Sequence, residues 1–429
     1  MRCVAVLLLV LTFAASAAVA QESSPAPTLV VVPAAAQNVS DPVAATRAWL
    51  DTVPTDKRER SDAYFEGGYW LILWNFLLSA AMSLLLLGTR ISARMRDFAE
   101  RTSRFKFVQV LIYAVPYILI TSLLAFPFTA YQSFFREHAY GMATQTFGQW
   151  FAEQLKGLAL SLVMTPLALG GLYAVFRRAP RTWWIWGTAV VLAFMVFGML
   201  IGPVYIQPLF NTYKPLTDPA ISEPILELAR ANNIPVTQVF EVDASRQTKR
   251  ISANVSGFLG TTRIALNDNL LTQCTLPEIR HVMGHEMGHY VLNHTGKLLL
   301  MFGSLFLVSF AVARVSFGFA VKRWGDKWGV RGIADPAGLP LLMLIFSTVL
   351  FVLTPIRKTV TRVVEAQADA FALDKARQPD AAAAVALKLG SYRKLDPGPL
   401  EEFVFFDHPS GRARIQMAME WKAANQANQ

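Results

Sequence analysis

Six long apolar runs constrain this 429-residue chain more than anything else in it; they cover 69–87, 107–131, 158–176, 183–206, 298–321 and 339–356. A helix needs about 20 apolar residues to cross the hydrocarbon of a bilayer. Inside lipid, only a structure that satisfies its own backbone groups survives. The runs therefore predict a mainly α, polytopic membrane protein. The sixth run is short and the fifth contains Arg314, so those two are the weakest spans. Composition agrees, since only 16% of residues are charged, against about a quarter in a soluble domain.

The formal net charge of +10 sits largely in short loops. Arg90, Arg94, Arg96, Arg101, Arg104 and Lys106 follow the first run; Arg177, Arg178 and Arg181 follow the third. Basic residues so placed orient a membrane protein. They do not form the continuous stripe of a nucleic-acid binder, and no nucleic-acid partner is expected.

The chain opens MRCVAVLLLVLTFAASAAVAQ. Arg2, the apolar stretch Val4 to Phe13 and Ala18-Val19-Ala20 read as a signal peptide over 1–20, cleaved before Gln21. Residues 21–65 are rich in small residues and proline, then charged, and read as a flexible exported segment with a short helix. A transmembrane domain of about four helices is expected over 66–207. The remainder, 208–429, is expected to form one domain interrupted by two further membrane helices at about 298–321 and 339–356. Within it Ile221, Ile225, Leu228 and Ala229 recur at helical spacing. Val236–Val242, Ser252–Phe258 and Thr262–Leu266 read as short strands, with Gly260-Thr261 as a turn. Once Cys3 is removed with the signal, Cys274 is the only thiol, so no disulfide and no cysteine-rich zinc site is expected.

Leu276–Val291 reads as a helix opened by Thr275, Pro277 and Glu278. It carries HVMGHEMGHY. His285 and His289 leave one helical face a turn apart and can grip one zinc ion. Glu286 is rotated about 100° away, suited to act as general base on a water rather than as a ligand. Gly284 and Gly288 each cost about 1 kcal/mol of helix propensity, tolerable where another backbone or a substrate approaches closely. Catalytic zinc normally takes three protein ligands. Glu365 in TRVVEAQADAFAL is the candidate third, and Asp369, four residues on, could orient a ligating imidazole. Spacing alone leaves both equally readable as solvated charges beside Arg362. His281 reads as a helix-surface residue, and His294 and His138 as ordinary polar contacts. His408, before Pro409, reads as part of a basic turn.

These motifs together resemble the type I CAAX prenyl proteases, integral-membrane zinc endopeptidases of the gluzincin group, and their bacterial relatives. PVYIQPLFNTYKPL (203–216), SANVSGFLGTTRIALNDNLL (252–271), HEMGHYVLNH (285–294), EAQADAFAL (365–373) and HPSGRARI (408–415) carry the resemblance, which spans about 70–420. It implies a ring of membrane helices closed by a small α+β zincin-type domain. It implies one zinc ion on His285, His289 and Glu365, with Glu286 as base and Asp369 in support. It implies His408 at the oxyanion, Arg414 gripping substrate, and Asn254 on an edge strand that pairs with the substrate backbone. Ala366, Ser410 and Val255 depart from the family's usual residues and blur substrate preference.

The expected activity is membrane-embedded zinc metalloendopeptidase, acting on envelope peptides or proteins or on CAAX-type C-termini. A catalytically silent membrane scaffold keeping the protease fold is the competing reading, and an intact Glu286 weighs against it. Four crossings from an exported N-terminus return the zinc segment to the periplasmic side of an inner membrane. The basic loops then fall in the cytoplasm. Eukaryotic members of the resembled family open the opposite way.

Overall fold

The computed structural model describes residues 30–257 and 262–426. The expected signal peptide, Cys3 and the Gly260-Thr261 turn lie outside the described residues. Among those described, five helices are long and apolar enough to cross a membrane: Thr55–Gly88, Lys106–Ala139, Phe147–Arg178, Trp183–Leu209 and His294–Trp328. The second carries Pro116 and Pro127 and loosens into a π turn at Tyr131–Phe135. The fourth loosens at Gly202–Ile206, around Pro203. Proline removes a helical donor and crowds the preceding turn, so both changes of pitch have a local cause.

The sixth apolar run is not one straight helix to 356. Its helix, Leu339–Val352, stops and bends by 58° into Thr354–Ala376. Pro355 lies in the first turn of the new helix, where its missing N–H costs nothing. The bend turns the chain out of the apolar run and aims Glu365 and Asp369 at the His285 helix.

At one end of the bundle, the basic stretch 90–106 is itself ordered. Helix Ile91–Thr102 buries Ser92, Met95, Arg96 and Ala99. Arg96 meets Asp335 at 2.6 Å, both side chains nearly inaccessible. Arg96 also donates to the Gly329 carbonyl, and Asp335 accepts from the Arg331 and Ala337 amides. A buried ion pair is tolerable when its other hydrogen-bonding positions are filled in this way. The loop after the first span and the segment before the sixth run are thereby joined.

At the other end sits a four-stranded sheet: β1 (Tyr213–Pro215), β2 (Val239–Val242), β3 (Ala253–Ser256) and β4 (Arg263–Asn267), in the order β1-β2-β4-β3. The β2–β4 pair is parallel and the others antiparallel. Ile225, Ile264, Leu266, Met283 and Met287 pack between the sheet and its helices. Strand β3 is an edge. The Asn267 amide fixes its approach, accepting from Ser252 N–H and donating to the Arg250 carbonyl. The loop after the second span bridges to this region at Ala143 and Thr248, so membrane helices and sheet domain are directly linked.

The N-terminal segment differs from expectation. Residues 42–51 form a helix capped by Asp41, which accepts from the Val43 and Ala44 amides. The helix that carries the first apolar run then starts at Thr55, upstream of that run, with a charged first portion. The 42–51 helix does not hang free: Ala45, Trp49 and Leu50 pack with Ile415, Ala418 and Met419 of the C-terminal helix Gly411–Gln426. Thr46 donates to Gln416, and Lys422 donates to the Ala36 carbonyl. Burying Trp49 and Leu50 outweighs the polar composition around them. Trp49 is fully buried, so Trp49→Ala should cost about 3–5 kcal/mol. A lower melting temperature in detergent, with early proteolysis before residue 55, is the expected result; an unchanged melt would mean this contact is not stabilising.

Candidate metal centre

The His285 helix (Leu276–Val291) starts as its sequence dictates. Glu278 accepts from the Thr275 amide at 2.6 Å, and Lys388 covers the same carboxylate at 2.7 Å. The two glycines then find their reason. A Cβ on Gly284 would lie 3.2 Å from the Ala372 Cα, and one on Gly288 the same distance from the Ala368 Cα. The close approach is by the backbone of the Glu365 helix (Thr354–Ala376).

That seam brings together the predicted donors. One ligand atom from each of His285, His289 and Glu365 lies within 4.8 Å of the others. His285 Nε2 is 3.2 Å from Glu365 Oε2, and His289 Nε2 is 3.5 Å from Oε1. The two imidazole Nε2 atoms face each other at 3.1 Å. Asp369 lies 2.8 Å from His285 Nδ1. A carboxylate only accepts, so His285 Nδ1 carries hydrogen, and in the neutral ring Nε2 presents a lone pair. Nitrogens converging on a carboxylate at these distances call for a proton or a cation between them. Burial opposes charge on His285, yet Asp369 outweighs it and draws the ring up to about 9, so Nε2 takes a second proton unless a cation occupies that position in its place. The residues thus fit a zinc ion: two nitrogens, one carboxylate, and an oriented ligand.

Glu286 is half-buried and has no hydrogen bond or ion pair among the described residues. Burial, reinforced by Glu365, pushes its carboxyl up to about 7. His408 lies across the centre, its Nε2 3.2 Å from Glu365 Oε2. Arg414 meets Asp369 at 3.0 Å and stands 3.6 Å from Glu365. Asn254 lies on the edge strand β3, with its Oδ1 buried and unpartnered. All eight residues singled out in the sequence therefore lie around the two helices or on the adjoining strand. Arg362 turns away from Glu365 and Asp369 to donate to the Glu402 and Phe406 carbonyls, so the two carboxylates are not a solvated pair beside it.

His281 was expected on the helix surface and is instead buried. It faces a small cavity lined by Asp369, Leu373, Ala382, Val385 and Arg414, because the helices following Glu365 wrap behind the centre. Burial lowers its ring to about 4. Asp407 escaped the sequence reading. It accepts from His408 Nδ1 at 2.8 Å and is held by Lys358 at 2.6 Å. Its position directly before His408 was the available signal.

Two family profiles match: the CAAX prenyl protease N-terminal region with five membrane helices, over 37–212, and peptidase family M48, over 215–422. The uncharacterized metalloprotease YhfN of Bacillus subtilis is 32% identical over 78% of each chain. A CAAX prenyl protease 1 homolog of Oryza sativa subsp. japonica is 29% identical over 66% of this chain and 67% of its own. The crystal structure of S. mikatae Ste24p superposes with a TM-score of 0.69, covering 86% of this chain and 90% of that one. Its identity is 20%, so this likeness speaks for the fold.

Proposed function

The chain belongs to peptidase family M48 and is a multi-pass membrane metalloprotease, and from that premise we propose that it is a zinc endopeptidase in which Glu286 activates the attacking water. The observation that carries this reading is the convergence of His285, His289 and Glu365 beside an unpaired Glu286. His285, His289 and Glu365 would hold the zinc ion, which would supply Lewis acidity to the scissile carbonyl and to a water. Glu286 takes the proton of that water and delivers it to the leaving amine. Asp369 holds His285 in its ligating tautomer, and Arg414 holds Asp369.

His408, across the centre from the imidazoles, would hydrogen-bond the developing oxyanion. Since Asp407 occupies Nδ1, donation from Nε2 requires the protonated ring. Burial works against that proton and Asp407 works for it, with the ring lowered on balance. Extended substrate would add to the free edge of β3, where Asn254 has an open acceptor. Relatives named CAAX prenyl proteases bring lipidated C-termini into view as substrates. An exported orientation favours unfolded or surplus envelope proteins instead. The silent-scaffold alternative has nothing in the site to favour it.

Purified protein should hold one zinc per chain, lost in His285→Ala, His289→Ala and Glu365→Ala. Glu286→Gln should keep the metal and lose peptide cleavage. His408→Ala should lower kcat by about 10²-fold. Metal retained in Glu365→Ala, or turnover by Glu286→Gln, would sink the assignment.

The pH dependence has a definite sign. Only the ionised Glu286 accepts a proton, so kcat/KM falls as pH drops through its pKa. That value lies at or below about 7, because a bound cation favours the carboxylate. Activity also falls as pH rises through the His408 pKa, and His408→Ala should abolish that basic limb. A basic limb unchanged in that variant would remove His408 from oxyanion stabilisation.

We further propose an inner-membrane location with the metal centre facing the periplasm. The N-terminal helix packs on the C-terminal helix beside the centre, so whichever side receives residues 42–51 also receives the site. Cys274 is buried and is a poor probe. Thr217 is exposed, and Thr217→Cys should react with a membrane-impermeant thiol reagent on intact spheroplasts. Reaction only after lysis would put the centre in the cytoplasm.

A further inference from the structure

Two buried histidines, His281 and His294, remain outside this mechanism, and the second touches a ligand. His294 is 1% exposed and begins the fifth span. Asn293, with φ 52° in the left-handed region, reverses the chain between the two helices and folds His294 back over His289. The rings meet edge to face, with Nδ1 to Nδ1 at 3.0 Å. On its other side His294 Nε2 lies 3.1 Å from Gln367 Oε1. Gln367 sits on the helix that carries Glu365, two residues further along. The contacts of this histidine fix which of its nitrogens carries hydrogen.

Lys297 Nζ is 3.4 Å from the same Gln367 oxygen. An ammonium only donates, so Gln367 presents its carbonyl oxygen to this corner. His294 Nε2 must then carry the hydrogen it gives to Gln367. In the neutral ring its Nδ1 is an acceptor, and His289 Nδ1 must be the donor between the pair. That leaves His289 Nε2 with a lone pair, directed at His285 and Glu365. The opposite assignment would put a hydrogen on His289 Nε2, in the space the three donors share.

Resting on the zinc reading above, we propose that His294 is a positioning residue for the metal centre. It takes the Nδ1 hydrogen of His289, which fixes that ring in its ligating tautomer, and through Gln367 it ties the ring to the helix of the third ligand. The two imidazoles are thus oriented by different chemistry. Asp369 serves His285 with a charge; His294 serves His289 with a neutral acceptor. Partners of metal-ligating histidines typically contribute 10–100-fold in metal affinity or activity.

The test is zinc affinity of the purified full-length protein in detergent, measured by competition with a chromogenic chelator, alongside kcat and KM at saturating zinc. His294→Phe keeps the ring volume and removes the acceptor; zinc affinity should fall 10–100-fold. His294→Asn returns an oxygen near the Nδ1 position and should recover most of that loss, which a packing role would not. Gln367→Leu should weaken zinc in the same direction by less. Should His294→Phe fail to fold, judged by the melt of the metal-free protein, the Asn and Leu variants decide. Native zinc affinity in Gln367→Leu together with no recovery in His294→Asn overturns the proposal, as does native affinity in a folded His294→Phe. Native protein that binds no zinc would instead bring down the metallopeptidase reading itself.

Discussion

The contact on which the centre depends has no polar atoms in it. Gly284 and Gly288 on one helix lie against Ala372 and Ala368 on another, close enough that a single added carbon would touch the opposing backbone. Side chains of ordinary size would hold such helices 8–10 Å apart, and Glu365 would not reach the imidazoles. The glycines cost helix propensity, and the return is position. A carboxylate from one helix enters the space between two histidines from the other, and Asp369 reaches the far nitrogen of one of them. The chemistry at the centre is therefore a consequence of small-residue packing a few ångströms away.

That seam needs both helices delivered at the right angle, and the membrane part of the chain does the delivering. The apolar run that ends at Val352 passes its direction, through the bend at Pro355, to the helix of Glu365. The fifth span leaves the end of the His285 helix by the left-handed Asn293. The far ends of these spans are pinned by Arg96 and Asp335, a buried pair with its hydrogen-bonding capacity filled. Removing either partner would strand a charge in the interior, so this pair resists rearrangement of the bundle more than it adds to net stability.

Much of this was legible from residue order. The apolar runs announced the spans, and His285, Glu286 and His289 announced the centre, because helical periodicity alone places two of them on one face. The edge position expected for the strand of Asn254, an expectation drawn from resemblance, is found in β3. What was not legible has a common physical character: it depends on partners remote in sequence. Nothing local to Asp41–Asp51 says that Trp49 will find Met419. His281 looked exposed because its burial comes from residues after Glu365. Asp407 was passed over because an acidic residue beside a histidine is ordinary until Lys358 and the ring are seen to share it. The sixth run read as a span to 356 because hydropathy is blind to a bend.

The meeting of the two chain ends has its own logic. The C-terminal helix carries Arg414, which faces both Asp369 and Glu365, and Gln416, which takes a hydrogen bond from Thr46 of the N-terminal helix. A guanidinium among buried carboxylates offsets their mutual repulsion only if its own helix is held still. That helix is not among the described helices long and apolar enough to cross a membrane. Its confinement comes from Trp49, Leu50 and the alanines of Pro379–Leu389, with Lys422 closing on Asp380 and on the Ala36 carbonyl. The segment before the first membrane helix thus belongs mechanically to the metal centre. Three acidic groups gathered beside two imidazoles need such a frame, and here it is closed by residues more than 350 positions apart.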